Sequence, residues 1–136
     1  MTKVLVALLG SAALVVGCNN AEERAEDQRE AAAEASATAA GNAVAALGLT
    51  EAQLLDADLL DPSNRELGEV EGVVRGGPSN AVDHLLVELE GSNPERIVQV
   101  PIAGLAAVER GADTDVSTTL TSAQLAALPD APPAAR

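Results

Sequence analysis

His84 is the only histidine in the sequence, and Asp83, Glu88 and Glu90 lie close to it in the chain. An imidazole beside a carboxylate is a common start for a general base or a metal site. The spacing here argues against both. Successive side chains of a strand point to opposite faces, so Asp83 is expected to face away from His84. Glu88 and Glu90 share its face, but one histidine with scattered carboxylates falls short of a metal motif. Asp56, Asp58 and Asp61 have a suggestive spacing, yet they lack the glycine and the closing glutamate of a calcium loop. Ser79, Ser92, Ser117 and Ser122 fall in turns or at a helix cap, where hydroxyls bond the local backbone. None stands in a Gly-x-Ser-x-Gly context. Gly76-Gly77-Pro78 is not a phosphate loop, and Lys3 is the only lysine. The expectation is a non-enzymatic protein with no catalytic residue, no cofactor and no metal site.

Composition narrows the partners. The 136 residues include 21 acidic and 8 basic side chains, a net charge of −13. Such a surface repels polyanions, which argues against nucleic acid. The chain has no Phe, Trp or Tyr, so base stacking and aromatic cages are unavailable. Its core must come from Val, Leu, Ile and Ala. With about 75 folded residues, burial is modest and stability belongs at the low end of the usual range. A single cysteine, Cys18, rules out an intrachain disulfide and any multi-cysteine metal site.

The elements that would position these residues centre on residues 67–101. Three aliphatic runs there are separated by Gly-Gly-Pro-Ser-Asn and Gly-Ser-Asn-Pro, the pattern of antiparallel strands joined by tight connections. Strands are predicted at 57–60, 67–75, 82–90, 96–100, 106–110 and 116–120. In the second, Gly68, Val70, Gly72 and Val74 should share a face, and two glycines on one face suit a small, tightly curved barrel. In the third, Leu85, Val87 and Leu89 should face one way and His84, Leu86, Glu88 and Glu90 the other. Asp61-Pro62-Ser63-Asn64 is a turn. Thr50 with Gln53, and Thr121 with Gln124, have capping-box spacing and predict short helices at 51–55 and 122–128.

Residues 1–17 carry Lys3 followed by a short apolar run, the pattern of an export signal and too short to span about 30 Å of hydrocarbon comfortably. The segment Leu14-Val15-Val16-Gly17-Cys18 resembles a bacterial lipobox. The resemblance implies that Cys18 is lipidated and becomes the mature N-terminus. It also implies several acyl chains on one cysteine, enough for stable anchoring, since each buried methylene contributes about 0.8 kcal/mol. With Asn19 rather than Asp after the cysteine, the resemblance to lipoproteins also implies the outer membrane over the inner one. The alternative is an ordinary export signal with an incidental cysteine. Residues 18–47 continue as an Ala/Glu-rich segment of strong helix formers without an apolar stripe, in which Glu26, Glu30 and Glu34 repel at i,i+4. It is expected to be a disordered or partly helical linker that spaces the domain from the bilayer. Residues 130–136, rich in Pro and Ala, read as a flexible tail.

The region 48–129 resembles the PRC-barrel domain, a small module found in the H subunit of photosynthetic reaction centres and at the end of a ribosome maturation factor. The likeness rests on Asp61 through Gly68-Glu69-Val70, on Leu85-Leu86-Val87, on Val98-Gln99-Val100-Pro101, and on Thr121-Ser122-Ala123-Gln124-Leu125 before Leu128-Pro129. It implies a mainly β fold, a barrel of about six antiparallel strands with short flanking helices, used as an adaptor with no shared catalytic set. The expected function is a lipid-anchored protein of the bacterial cell envelope, facing the periplasm, that binds an envelope protein. The alternative is a soluble periplasmic protein that binds or senses a cation.

Overall fold

The computed structural model describes residues 20–133. In chain order the elements are α1 (Asn20–Ala40), β1 (Val44–Ala46), β2 (Leu49–Thr50), α2 (Glu51–Leu55), β3 (Asp58–Leu60), β4 (Glu66–Gly76), β5 (Ala81–Leu89), β6 (Ile97–Pro101), β7 (Ala106–Arg110), β8 (Asp113–Ser117) and α3 (Ser122–Ala126). The protein is mainly β. Six strands form one sheet in the order β6-β5-β4-β3-β8-β7, and β1 pairs with β2 in a separate hairpin. That hairpin turns through Leu47 and Gly48, both at positive φ, as a two-residue primed turn requires. Cys18 and the export signal at 1–17 lie outside the described residues, as do 134–136. Among the described residues no helix is long and apolar enough to cross a membrane.

The expected all-antiparallel arrangement is corrected at one seam. β3 and β8 run parallel, with Leu59 opposite Val116 and Leu60 opposite Ser117. β4 occupies one side of β3, and the chain returns to the other side only after several further strands, arriving in the same direction. The sheet is therefore mixed. Its ladder ends at β6 and β7, so the hydrogen bonding does not close into a barrel.

Two bulges also correct the expected faces. Val70 opposes Val87 but Gly72 opposes Leu86, so Glu71 is an extra residue in β4. Val74 opposes His84 but Arg75 opposes Val82, so Asp83 is an extra residue in β5. An unpaired residue resets the alternation and bends its strand. Beyond the first bulge, Gly72 and Val74 pair with Leu86 and His84 on the outer face, not with the core side that Gly68 and Val70 occupy. The core joins Leu54 and Leu59 to Leu85, Val87, Val98, Val100, Val116 and Leu125, all fully or almost fully buried. At the edge of this core Glu51, the first residue of α2, is buried and receives Arg75 Nη2 of β4 at 2.6 Å.

Both predicted capping boxes form. Thr50 accepts from the Gln53 amide at 3.2 Å while Gln53 Oε1 accepts from the Thr50 amide at 3.0 Å. Thr121 and Gln124 do the same at 3.2 and 2.9 Å. The second box starts α3, which buries Leu125 in the core. Thr121→Ala removes one half of that box, and the midpoint of urea unfolding should shift by an amount equal to about 1 kcal/mol. An unchanged midpoint would show that α3 does not need its cap.

The segment expected to be a disordered or partly helical linker is helical over 21 residues, α1, and the difference is that it is packed. It lies against β4 and α2 and buries its own Ala37 there. The sequence hid this because the contact uses alanine and glycine rather than an aliphatic stripe. The tail also differs from expectation where it begins. The Gln99 amide donates to Pro129 O and the Ala131 amide to Ile97 O, each at 2.8 Å. Residues 129–131 thus run along β6 as a short added strand.

Candidate functional site: an open sheet edge and an acid-lined cleft

The two ends of the sheet are treated differently by the chain. The outer edge of β6 is occupied by the tail, with Val98 bridged to Asp130. Arg96 ties the tail and the end of α3 to this edge: its Nε reaches Asp130 Oδ1 at 2.6 Å, its Nη2 reaches Leu128 O at 3.1 Å, and its Nη1 reaches Ala126 O of α3. The outer edge of β7 carries no such cover. Among the described residues, its main chain bonds only with β8. Ala106, Ala107, Glu109 and Arg110 are exposed and Val108 is half-buried. A bare edge presents alternating amide donors and carbonyl acceptors to any extended segment, and side chains as small as Ala106 and Ala107 do not obstruct approach. Arg110 is drawn back by buried Asp115, 3.2 Å from its Nη1. Asp115 also accepts from the Asp58 amide at 3.0 Å and so holds β8 to the start of β3.

The outer face of the sheet carries a row of acids. Asp58 stands opposite Glu69, and Glu69 opposite Glu88, across three neighbouring strands. Like charges directly opposite one another destabilise a sheet. Glu66 joins the row, and oxygens of Asp58, Glu66 and Glu69 lie within 4.8 Å of one another. Burial, with the Asp115 charge behind it, pushes the Asp58 carboxyl above its ordinary value. The charge of Asp58, with some burial, does the same to Glu66. Exposed acids gather like this in proteins that hold no ion, and we assign no metal to these three. Above the row, α1, α2, β3 and β4 enclose a cleft of about 590 Å³ with Glu30, Glu34, Asp56, Asp58, Glu69 and Glu71 in its lining. Its chemistry is that of a strongly negative hollow, attractive to cationic groups.

The residues singled out in the sequence are dispersed. Asp61 is engaged in its own turn: Oδ1 accepts from the Ser63 hydroxyl at 2.5 Å and from the amides of Ser63 and Arg65 at 2.8 and 3.0 Å. The Ser63 hydroxyl above all, with those amides, holds the Asp61 carboxyl below the usual range. Asp56 caps the end of α2 and lines the cleft, whereas Asp58 belongs to the acid row. His84 is corrected. Its Nδ1 lies 3.0 Å from Asp83 Oδ1, because the bulge at Asp83 breaks the alternation that would have separated them. The pair is exposed. Sequence reasoning missed Glu66 and Glu69 as a group. Register could have found Glu69, which stands between Asp58 and Glu88; Glu66 joins it only through the register shift that sets it opposite Leu60.

Comparison with known proteins finds no family model and no curated protein that the chain matches.

Proposed function

We propose that this chain is a lipid-anchored protein of the bacterial cell envelope, held through Cys18 and facing the periplasm, on the outer membrane rather than the inner. Its β domain, a PRC-barrel-like module, is a non-enzymatic adaptor that accepts a strand of a partner protein along β7. The observation that carries this reading is the unequal treatment of the two sheet edges. Residues 129–131 cover β6 and Arg96 pins them through Asp130, whereas among the described residues β7 is left bare. An uncovered edge is an aggregation hazard unless it has a use. The lipobox-like segment supports the anchor.

Two measurements test the proposal separately. Cys18→Ala should abolish acyl labelling and move the protein from the membrane pellet to the soluble fraction; unchanged partition and mass would remove the anchor from the reading. For the edge, a tagged protein is used as bait in detergent-solubilised envelope, since the chain has no aromatic absorbance. Ala107→Lys places a guarding charge on β7 and should reduce partner recovery at least about tenfold. Equal recovery by the two baits would mean that β7 is not the binding edge.

A further inference from the structure

Helix α1 is held on the outer face of the sheet by little apolar surface. Ala37 is its buried contact, and Ala32, Ala33 and Ser36 lie over Gly72 and Leu86. Small side chains contribute little burial, so the docking energy is slight. Against it stand carboxylates on both sides of the seam. A cavity of about 200 Å³ between helix and sheet is lined by Glu26, Arg29 and Glu30 of α1, Glu71 of β4, Glu88 of β5 and Ile97 of β6. Glu69 and Glu95 line an adjoining hollow with Glu88, and their charges add to those of Glu71 and Glu88. Among the described residues, Arg29 is the cation lining this cavity, and its Nη2 is engaged with Pro132 O at 3.2 Å. Glu51 of α2 reaches the adjoining hollow but is matched by Arg75. The helix is therefore laid acid against acid, with one guanidinium to offset several negative charges.

We propose that this seam is a pH-operated latch: protonated glutamates let α1 close on the sheet, and ionised glutamates drive it off. The latch belongs to the described residues and stands whether or not Cys18 is lipidated. The direction of the proton equilibria agrees. Burial first, then the charges of Glu69, Glu30, Glu26 and Glu95, raises Glu71 above the ordinary glutamate value of 4.5. Burial, then Glu95, Glu71, Glu69 and Glu26, raises Glu88. Burial, then a side-chain bond with Glu95, raises Glu26. A carboxyl raised in the closed form favours closure when protonated. The contribution to closure is thus complete at pH below the ordinary glutamate value and is lost as pH climbs through the raised values. Once released, α1 cannot hold its own hydrogen bonds well, because Glu26, Glu30 and Glu34 repel one another at i,i+4 along it. Closure shortens the reach of the β domain from the chain's amino-terminal end; release turns the helix into a leash.

Amide hydrogen exchange on the full chain reads the latch directly, with rates divided by the intrinsic rate at each pH. Protection across residues 26–37 of α1 should fall at least about tenfold between about pH 5 and about pH 8, while the amides of β5 stay protected. Replacing the three glutamates together, Glu26→Gln, Glu71→Gln and Glu88→Gln, should keep α1 protected at the higher pH. Where that triple variant loses protection in β5, the helix-only pair Glu26→Gln and Glu30→Gln takes its place, since neither residue lies in the sheet. Equal α1 protection at both pH values in the natural chain would overturn the proposal. So would an equal fall in the neutralised variant.

Discussion

Arg75→Met should lower the stability of the domain by about 4 kcal/mol, because it strands a buried carboxylate. Glu51 is almost completely enclosed, and Arg75 Nη2 at 2.6 Å is its ionic partner. A charge in such a place has no water to replace what the guanidinium supplied. The reverse change, Glu51→Leu, should cost less, since Arg75 keeps nearly a third of its side chain exposed and can turn to solvent. Changing both residues should bring stability back to near the natural level, as happens when buried ion pairs give way to apolar packing. Urea unfolding followed by far-ultraviolet circular dichroism measures all four corners of this cycle. The coupling should be at least about 2 kcal/mol. Simple additivity would mean that Glu51 finds another partner when Arg75 is gone. For a domain whose total stability belongs near the bottom of about 5–15 kcal/mol, the single Arg75 change alone would leave much of the population unfolded.

Gly68→Ala should remove about 3 kcal/mol, whereas Gly72→Ala should change stability by less than about 1 kcal/mol. A methyl on Gly68 would stand 2.2 Å from the Glu88 carbonyl oxygen and 2.8 Å from Val87 Cγ1. The first obstacle is backbone, held in the β4–β5 ladder, so relief requires the two longest strands to part. A methyl on Gly72 would meet Leu86 Cδ1 at 3.3 Å, the end of a side chain that can rotate away. It would also relieve the entropic cost of glycine in a strand. The comparison uses the same chemical change at two sites four residues apart in one strand. Matching losses would mean that β5 is free to move at Gly68, and the tight approach would lose its meaning.

The sequence shows these two glycines as equals, and that marks where reading it runs out. Aliphatic alternation and turn residues were enough to locate β4, β5, β6 and β7 to within a residue or two, because each depends on local preference. Capping boxes at Thr50 and Thr121 were legible for the same reason. The bulges at Glu71 and Asp83 were not. They depend on how two distant strands fit together, and they reassign Gly72, Val74 and Asp83 to other surroundings. The parallel seam between β3 and β8 was invisible too, since neither strand carries a mark of its neighbour. The helical character of α1 was legible in its composition, but its packing was not, because the contact is made by alanines over a glycine, which no apolar periodicity reveals. The acid row needed only register: once Glu69 is set opposite Glu88, its crowding follows.

The seam between β3 and β8 also dictates an order of assembly. β4, β5 and β6 follow one another as a meander, and β7 turns directly into β8, so both groups can form from near neighbours in the chain. Joining them requires Asp58 and Asp115 to meet although they stand 57 positions apart in the chain. Closing so long a loop is slow relative to local hairpins, and its reward arrives only when β8 is docked. A nascent chain released before residue 117 would hold a formed meander with an unsatisfied flank at β3. On this topology the flank of β3 is completed only when β8 docks, so the sheet closes late in the order in which the chain is made.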